Sequence, residues 1–190
     1  MRYVLVFLLL ASAAWAQQPS PCGQPGASQF DFWLGAWDVY AGENLVGRNV
    51  IAKVHGGCTV RERYHAVQSA FEGSSFNWYD PADDVWRQVW VDNTGTRLDL
   101  IGGLEDGAMV LSGMRVSDGQ AVADRITWTP NDDGTVRQVW DQTTDGGQTW
   151  TVVFDGMYRK AAEEESRNTR IRTTPGSSRC AATTSTPTGT

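Results

Sequence analysis

Two carboxylates stand where a strand-rich chain could put them to chemical use. Glu62, in TVRERYHA, and Asp92, at the end of WRQVWVD, would serve as a general acid and base if both faced one enclosed space. Nothing in the sequence completes a reaction centre around them. There is no G-x-S-x-G, no C-x-x-C and no H-E-x-x-H, so neither an activated nucleophile nor a metal-ligand set accompanies the pair. Carboxylates so placed more commonly pair with an arginine or cap a turn. The stronger chemical pattern joins amides to indoles. Residues 86–92 read Trp-Arg-Gln-Val-Trp-Val-Asp and residues 136–142 read Val-Arg-Gln-Val-Trp-Asp-Gln, so the tetrad Arg-Gln-Val-Trp occurs twice. Alternate residues of an extended chain share a face, which puts Gln88 with Trp90 and Gln138 with Trp140.

Which face is buried follows from what water tolerates. Turning Trp86, Gln88, Trp90 and Asp92 inward, with Gln138 and Trp140 from the second copy, shelters indoles worth about 1.5–3 kcal/mol each when fully buried. The opposite face offers Arg87, Val89 and Val91, and Arg87 and Arg137 solvate readily. In residues 58–67 the choice lies between Val60, Glu62 and Tyr64 and the more basic Arg61, Arg63 and His65, and we place Glu62 and Tyr64 inside.

The elements that would hold these residues are almost all strand and turn. Segments rich in Val, Thr, Tyr, Phe and Trp fall at 37–40, 45–54, 58–67, 73–79, 85–92, 96–101, 108–116, 122–129, 135–143 and 150–158. Gly56-Gly57, Asp80-Pro81, Asn93-Thr94-Gly95, Asp106-Gly107, Asp118-Gly119, Asp133-Gly134 and Asp145-Gly146-Gly147 separate them, residue types that accept turn dihedrals. About ten short strands joined by hairpin-sized turns predict an antiparallel meander. Closing it into a single up-and-down β-barrel removes the two sticky edges. An immunoglobulin-like sandwich is second, since no long crossover connection is present. Ahead of the first strand, Phe30, Trp33 and Leu34 are spaced three and four apart, which predicts a short helical plug ending at Gly35.

The ends of the chain differ from its middle. Met1-Arg2, an apolar run over residues 3–10 and Ala14-Trp15-Ala16 read as a signal peptide over residues 1–16. Residues 17–29 form a leader, residues 30–160 the barrel, and residues 161–190 a disordered tail of Thr, Ser, Arg, Pro and Gly. Pro19-Ser20-Pro21 before Cys22 is no lipobox, so we expect an exported, periplasmic or secreted protein with no membrane anchor after cleavage. Export permits disulfides. Cys22 and Cys58 are the best pairing of the three cysteines, with Cys180 left over and free thiols the alternative. The 190-residue chain carries a formal charge of −6, and loss of Arg2 with the signal makes it −7. Such a balance argues against nucleic acid and anionic membranes as partners recognised through bulk charge. Oligomeric state is not legible.

Taken together, FDFWLGAWDV from Phe30, GGC from Gly56, GSSFNWYDP from Gly73, WRQVWVDNTG from Trp86, GGLEDGAMVLSG from Gly102, RITWTP from Arg125 and GTVRQVWDQTTDGGQTW from Gly134 resemble the bacterial domain of unknown function 1579 family. The resemblance spans residues 22–158 and implies an exported lipocalin-like, nitrobindin-like barrel, with no established activity. It also bears on residues 74–80. Hydrophobicity alone would bury Phe76 and Trp78 there, whereas the family pattern G-x-S-x-N-x-Y-D implies that Ser75, Asn77 and Tyr79 face inward. Nitrobindin-like barrels can hold haem on a histidine near the last strands. Residues 150–159 contain no histidine, and His55 and His65 fall in the second and third strands, so we expect no haem and no other cofactor. Residues 143–150 match the Asp-box of sialidase propellers, but one copy in so short a chain reads as a hairpin turn centred on Asp145.

The sequence thus predicts a cavity of indoles and phenols carrying Glu62, Ser75, Asn77, Gln88, Asp92 and Gln138. A small apolar or aromatic ligand bound without catalysis is the first expectation. An enzyme using Glu62 or Asp92, and a filled barrel whose polar groups satisfy one another, are the others.

Overall fold

A computed structural model of the chain describes residues 22–162. The expected signal peptide, most of the tail and Cys180 lie outside the described residues. Ten strands follow one another in antiparallel order: β1 Gly35–Ala41, β2 Asn44–Val54, β3 Thr59–Ala66, β4 Glu72–Asp80 and β5 Val85–Asp92, then β6 Arg97–Glu105, β7 Ala108–Ser117, β8 Gln120–Pro130, β9 Val136–Thr143 and β10 Thr151–Lys160. Each pairs with its sequence neighbour, and β1 pairs with β10 through Trp37 opposite Lys160 and Tyr40 opposite Met157, which closes the barrel. The up-and-down barrel read from the turn spacing is therefore the observed architecture. Closure leaves no strand without a partner on either side.

Turn chemistry matches the residues present. Asp106 and Asp118 adopt positive φ beside Gly107 and Gly119, the pairing that two-residue hairpins with right-handed twist demand. β6 runs four residues beyond its expected end, to Glu105, because Gly102 there meets the Val110 carbonyl so closely that a Cβ would lie 2.0 Å from its oxygen. Only glycine lets the two backbones approach in this way.

One end of the barrel is closed from outside by the N-terminal segment. Pro25–Ser28 and Asp31–Trp33 form two short 3-10 helices, so the described part of the leader, residues 22–29, packs on the barrel with the plug. Phe30 and Trp33 are fully buried and Leu34 half-buried. Phe30 stacks on Trp33 at 4.9 Å and meets Trp128 and Trp86 edge-on at 5.2 and 5.6 Å. Such pairs add about 0.5–1.5 kcal/mol each beyond the area they bury. Trp37 donates to the Trp33 carbonyl at 2.8 Å, and the Lys160 ammonium sits 3.5 Å above the Trp37 ring while donating to the Leu34 carbonyl. Cys22 is bonded to Cys58, the residue after the His55–Gly57 turn, with the two Cα atoms 5.0 Å apart. The expected disulfide thus ties the plug to the β2–β3 connection.

Candidate functional site

Below the plug the barrel is hollow. A cavity of about 220 Å³ opens toward the opposite end, where the β3–β4, β5–β6 and β9–β10 connections lie. Gln88, Trp90, Gln138 and Trp140 all line it, so the two copies of Arg-Gln-Val-Trp do face one space. Glu62, Tyr64 and Asp92 line it as well. A larger groove, of about 690 Å³, lies on the outer wall among Trp78, Ile101, Met114 and Trp150, and shares only Gln88 with the inner cavity.

Ser75 and Asn77 are fully buried behind the lining, while Phe76 on the opposite face is 45% exposed. The polar face of β4 is therefore the inner one, against the hydrophobic ranking of its residues. Hydrogen bonding supplies the reason. Gln88 Nε2 donates to Asn77 Oδ1 at 2.6 Å, Asn77 Nδ2 to Ser75 Oγ at 2.9 Å, and Ser75 Oγ to Glu62 Oε2 at 2.7 Å. From the other side Asn49 Nδ2 donates to Glu62 Oε1 at 2.6 Å and reaches the Tyr158 hydroxyl at 3.3 Å, and Tyr158 in turn donates to Gln138. Seven side chains from β2, β3, β4, β5, β9 and β10 form one chain that runs around the wall with Glu62 at its middle. These bonds offset the cost of burying the polar groups, with Asn49 Oδ1 left as an acceptor that has no partner.

Glu62 is 4% exposed and none of its contacts is cationic. Burial raises its pKa to about 7, against the lowering by the Ser75 and Asn49 hydrogen bonds. Burial, and then the Glu62 charge, holds the Tyr158 hydroxyl well above the ordinary phenol range, and the same two causes raise Tyr64. Asp92 has the opposite disposition. Burial works to raise it, but hydrogen bonds from the Thr94 hydroxyl, Trp90 Nε1 and the Thr94 and Thr96 amides outweigh that and keep it below the usual carboxylate range. Asp92 is thus a turn cap that also anchors an indole. No structural pairing of Asp92 with Glu62 is seen, which leaves Glu62 as the one acid or base on the cavity wall with a pKa near neutrality.

Two of the three indoles on the lining, Trp90 and Trp140, are fixed by a carboxylate at the N–H edge. Trp90 Nε1 donates to Asp92 at 3.0 Å, and Trp140 Nε1 to Asp124 at 2.8 Å. Asp124 is buried and also accepts from Gln142 at 2.9 Å and Arg115 at 2.8 Å. Glycines make room for the rings. A Cβ at Gly73 would lie 2.1 Å from the Trp90 ring, one at Gly47 would lie 2.3 Å from the Tyr64 ring, and one at Gly156 would lie 2.5 Å from the Phe154 ring. Three aromatics therefore lie against bare backbone, which draws them back from the lumen.

Two of the sequence candidates belong elsewhere. Trp86 is buried at the closed end, where its Nε1 donates to the Gly26 carbonyl at 3.2 Å and to Gln29 at 3.1 Å. Tyr79 packs over Gly26 and donates its hydroxyl to Asp84 at 2.5 Å. They share an inward face with the cavity residues but stand at the depth the plug occupies. Residues that the sequence did not bring forward include Asn49, Tyr158, Phe71, Leu98, Ile126, Trp128 and Phe154. Asn49 and Tyr158 carried a signal, as each alternates with a buried small or apolar neighbour, Gly47 and Ile51 or Gly156. The histidines are both exposed, with His55 in the 3-10 turn rather than in a strand. No group of three His, Cys, Asp or Glu side chains that could hold a metal ion occurs among the described residues. Asp145 accepts from the amides of Gln148 and Thr149 and from the hydroxyls of Thr143 and Thr149, which makes residues 143–150 a self-capped turn. Trp150 leaves that turn to pack under Arg125, 4.1 Å from the ring centre.

No protein-family model matches the chain, and no curated protein does.

Proposed function

We propose that this chain is an exported β-barrel protein that binds a small apolar or aromatic molecule in its inner cavity and does not transform it. The observation that carries the proposal is the hollow itself. An unfilled barrel end with rings held back on glycine, and a polar network in its wall that leaves the Asn49 Oδ1 acceptor without a partner, has the character of a binding site. At about 220 Å³ the cavity lies between the roughly 150 Å³ that holds benzene in an engineered core and the roughly 300–1,000 Å³ of drug-sized sites. A ligand of one or two rings is the size it accommodates. The Cys22–Cys58 disulfide supports residence in an oxidising compartment, and no helix of the described residues is long and apolar enough to cross a membrane. The closed up-and-down barrel agrees with the lipocalin-like barrel that membership of the domain of unknown function 1579 family would bring, and that membership is part of the proposal.

Native mass spectrometry on protein purified from its own periplasm, with the released compound identified, tests binding directly. A mass excess that dissociates on activation, and that disappears in a Trp90→Ala, Trp140→Ala double variant that still folds, is the expected result. Protein that leaves the cell without any adduct, and that retains no added aromatic compound, would rule the proposal out.

A second function is favoured by one observation, the elevated pKa of Glu62 in an enclosed site, which suits a general acid or base working near neutrality. Turnover that follows a single ionisation near pH 7 and vanishes in Glu62→Gln would select it over simple binding.

A further inference from the structure

The cavity has a sign as well as a shape. Glu62 and Asp92 are the formally charged groups on its lining, and no Lys, Arg or His joins them. Asp124, the other buried carboxylate among the described residues, meets Arg115 at 2.8 Å, and the partly exposed Asp80 and Asp31 meet Arg87 at 2.9 Å and Lys53 at 2.7 Å. Glu62 and Asp92 form no ion pair among the described residues. A positive partner is thus missing at a place where a ligand could supply it.

The surroundings suit that partner. Each Glu62 oxygen accepts one hydrogen bond, and a carboxylate has lone-pair sites for about four. Asn49, whose amide nitrogen bridges Glu62 and Tyr158, has a buried Oδ1 with no partner, a further acceptor in the same network. Around these stand Tyr64, Trp90, Trp140 and Tyr158. The electropositive N–H edges of Trp90 and Trp140 are turned to Asp92 and Asp124, so the surfaces of these two rings that remain are the ones that attract a cation.

We propose that the cavity takes a small protonated organic amine, with its ammonium group beside Glu62 and its hydrocarbon part against Leu98, Ile126 and Phe154. This rests on the small-molecule function proposed above and adds the ligand's charge class. The ammonium group donates hydrogen bonds to the carboxylate and lies among the rings, where cation–π attraction strengthens as water is excluded. Ligand binding is proton-linked, because an arriving cation favours the ionised form of Glu62 and displaces its proton. The groups facing Glu62 are few. Tyr64 on its own strand and Tyr158 on β10 are both held above the ordinary phenol range and stay neutral near pH 7, β2 and β4 contribute the uncharged Asn49 and Ser75, and Asp92 on β5 is ionised throughout the neutral range. Linkage near pH 7 therefore reports on Glu62.

The test is calorimetric titration of the full chain, as exported, with three probes that share one ring: 2-phenylethylammonium, 2-phenylethanol and 3-phenylpropanoate. Near pH 8 the ammonium probe should bind about tenfold more tightly than the alcohol, and the carboxylate weakest. The ammonium's advantage should shrink toward pH 6, and Glu62→Gln should cut it to about threefold or less. Trp140→Leu, which keeps apolar volume and loses the ring, should weaken the ammonium probe more than the alcohol. Alcohol or carboxylate binding as tightly as the ammonium, or an undiminished advantage in Glu62→Gln, overturns the amine while leaving a neutral-ligand cavity in place. Failure of all three probes overturns the amine and the cavity function together. If Glu62→Gln does not fold, the probe series and its pH dependence in the unaltered chain decide alone.

Discussion

The two ends of the barrel use the same residue types to opposite ends. At the closed end Phe30, Trp33, Trp86 and Trp128 touch ring to ring, with centroids 4.9 to 5.6 Å apart. At the open end Trp90, Trp140 and Phe154 make no ring contact with another aromatic among the described residues. Their neighbours are a carboxylate at the indole edge, as with Asp92 and Asp124, or a glycine under the ring, as with Gly73 and Gly156. An indole beside another indole fills space; an indole drawn back over glycine and tied by its N–H leaves space open. The neighbour decides, so aromatic content alone does not distinguish a core from a cavity.

The largest test of this contrast is at the closed end. Trp33→Ala should cost about 3–5 kcal/mol of unfolding free energy, the range for removing a fully buried large aromatic, measured by urea denaturation. A cost under about 1 kcal/mol would show that the plug is an ornament on a barrel that stands alone. Next comes pH. Folding raises the pKa of Glu62 from 4.5 to about 7, so the folded state holds its proton more tightly than the unfolded chain. The associated stability is fully present below about pH 4.5, is lost as pH rises to about 7, and is flat beyond; it amounts to something on the order of 3 kcal/mol. Denaturation midpoints measured across that window should fall with rising pH, and the slope should flatten in Glu62→Gln.

Smaller effects on stability, with larger ones on binding, are expected at the open end. Trp90→Ala and Trp140→Ala should each cost less than about 2 kcal/mol, since both side chains are only partly buried, yet together abolish ligand retention. Equal stability losses at Trp33 and Trp90 would erase the distinction between the ends. The smallest change sharpens it furthest. Gly73→Ala adds one methyl group and should cost about 1 kcal/mol, but it pushes the Trp90 ring into the lumen and should weaken a bound probe several-fold by calorimetry.

Much of the fold was legible because a meander writes itself as alternation and turns. The Asp-Gly pairs at 106–107 and 118–119 mark hairpins by the dihedrals they accept, and closure follows from having no edge to spare. The facing of Gln88, Trp90, Gln138 and Trp140 was legible for the same reason, since a period of two specifies a side. Depth along the barrel axis is not periodic. Trp86 and Tyr79 share the face of the cavity residues, and only the packing of Gly26, Gln29 and Phe30 over that end separates them from the cavity. The inward face of β4 could not be had from hydrophobicity either. Ser75 and Asn77 are inside because Glu62 and Gln88 complete their hydrogen bonds, a condition set by strands β3 and β5 and invisible within β4. Asn49 and Tyr158 complete that network from residues 109 apart in the chain.

Among the described residues, the plug and its disulfide close one end of the barrel and leave the other open. For a ligand bound as proposed, entry and departure share that open end, where residues 67–70 of the β3–β4 connection are exposed and its base is pinned by Ala66 donating to the Phe71 carbonyl at 2.9 Å and Asn93 donating to the Ala70 carbonyl at 2.6 Å. By microscopic reversibility, a substitution at that tip which leaves the bound state untouched alters association and dissociation rates by the same factor. Residence time is therefore adjustable there while the equilibrium constant stays where the interior sets it.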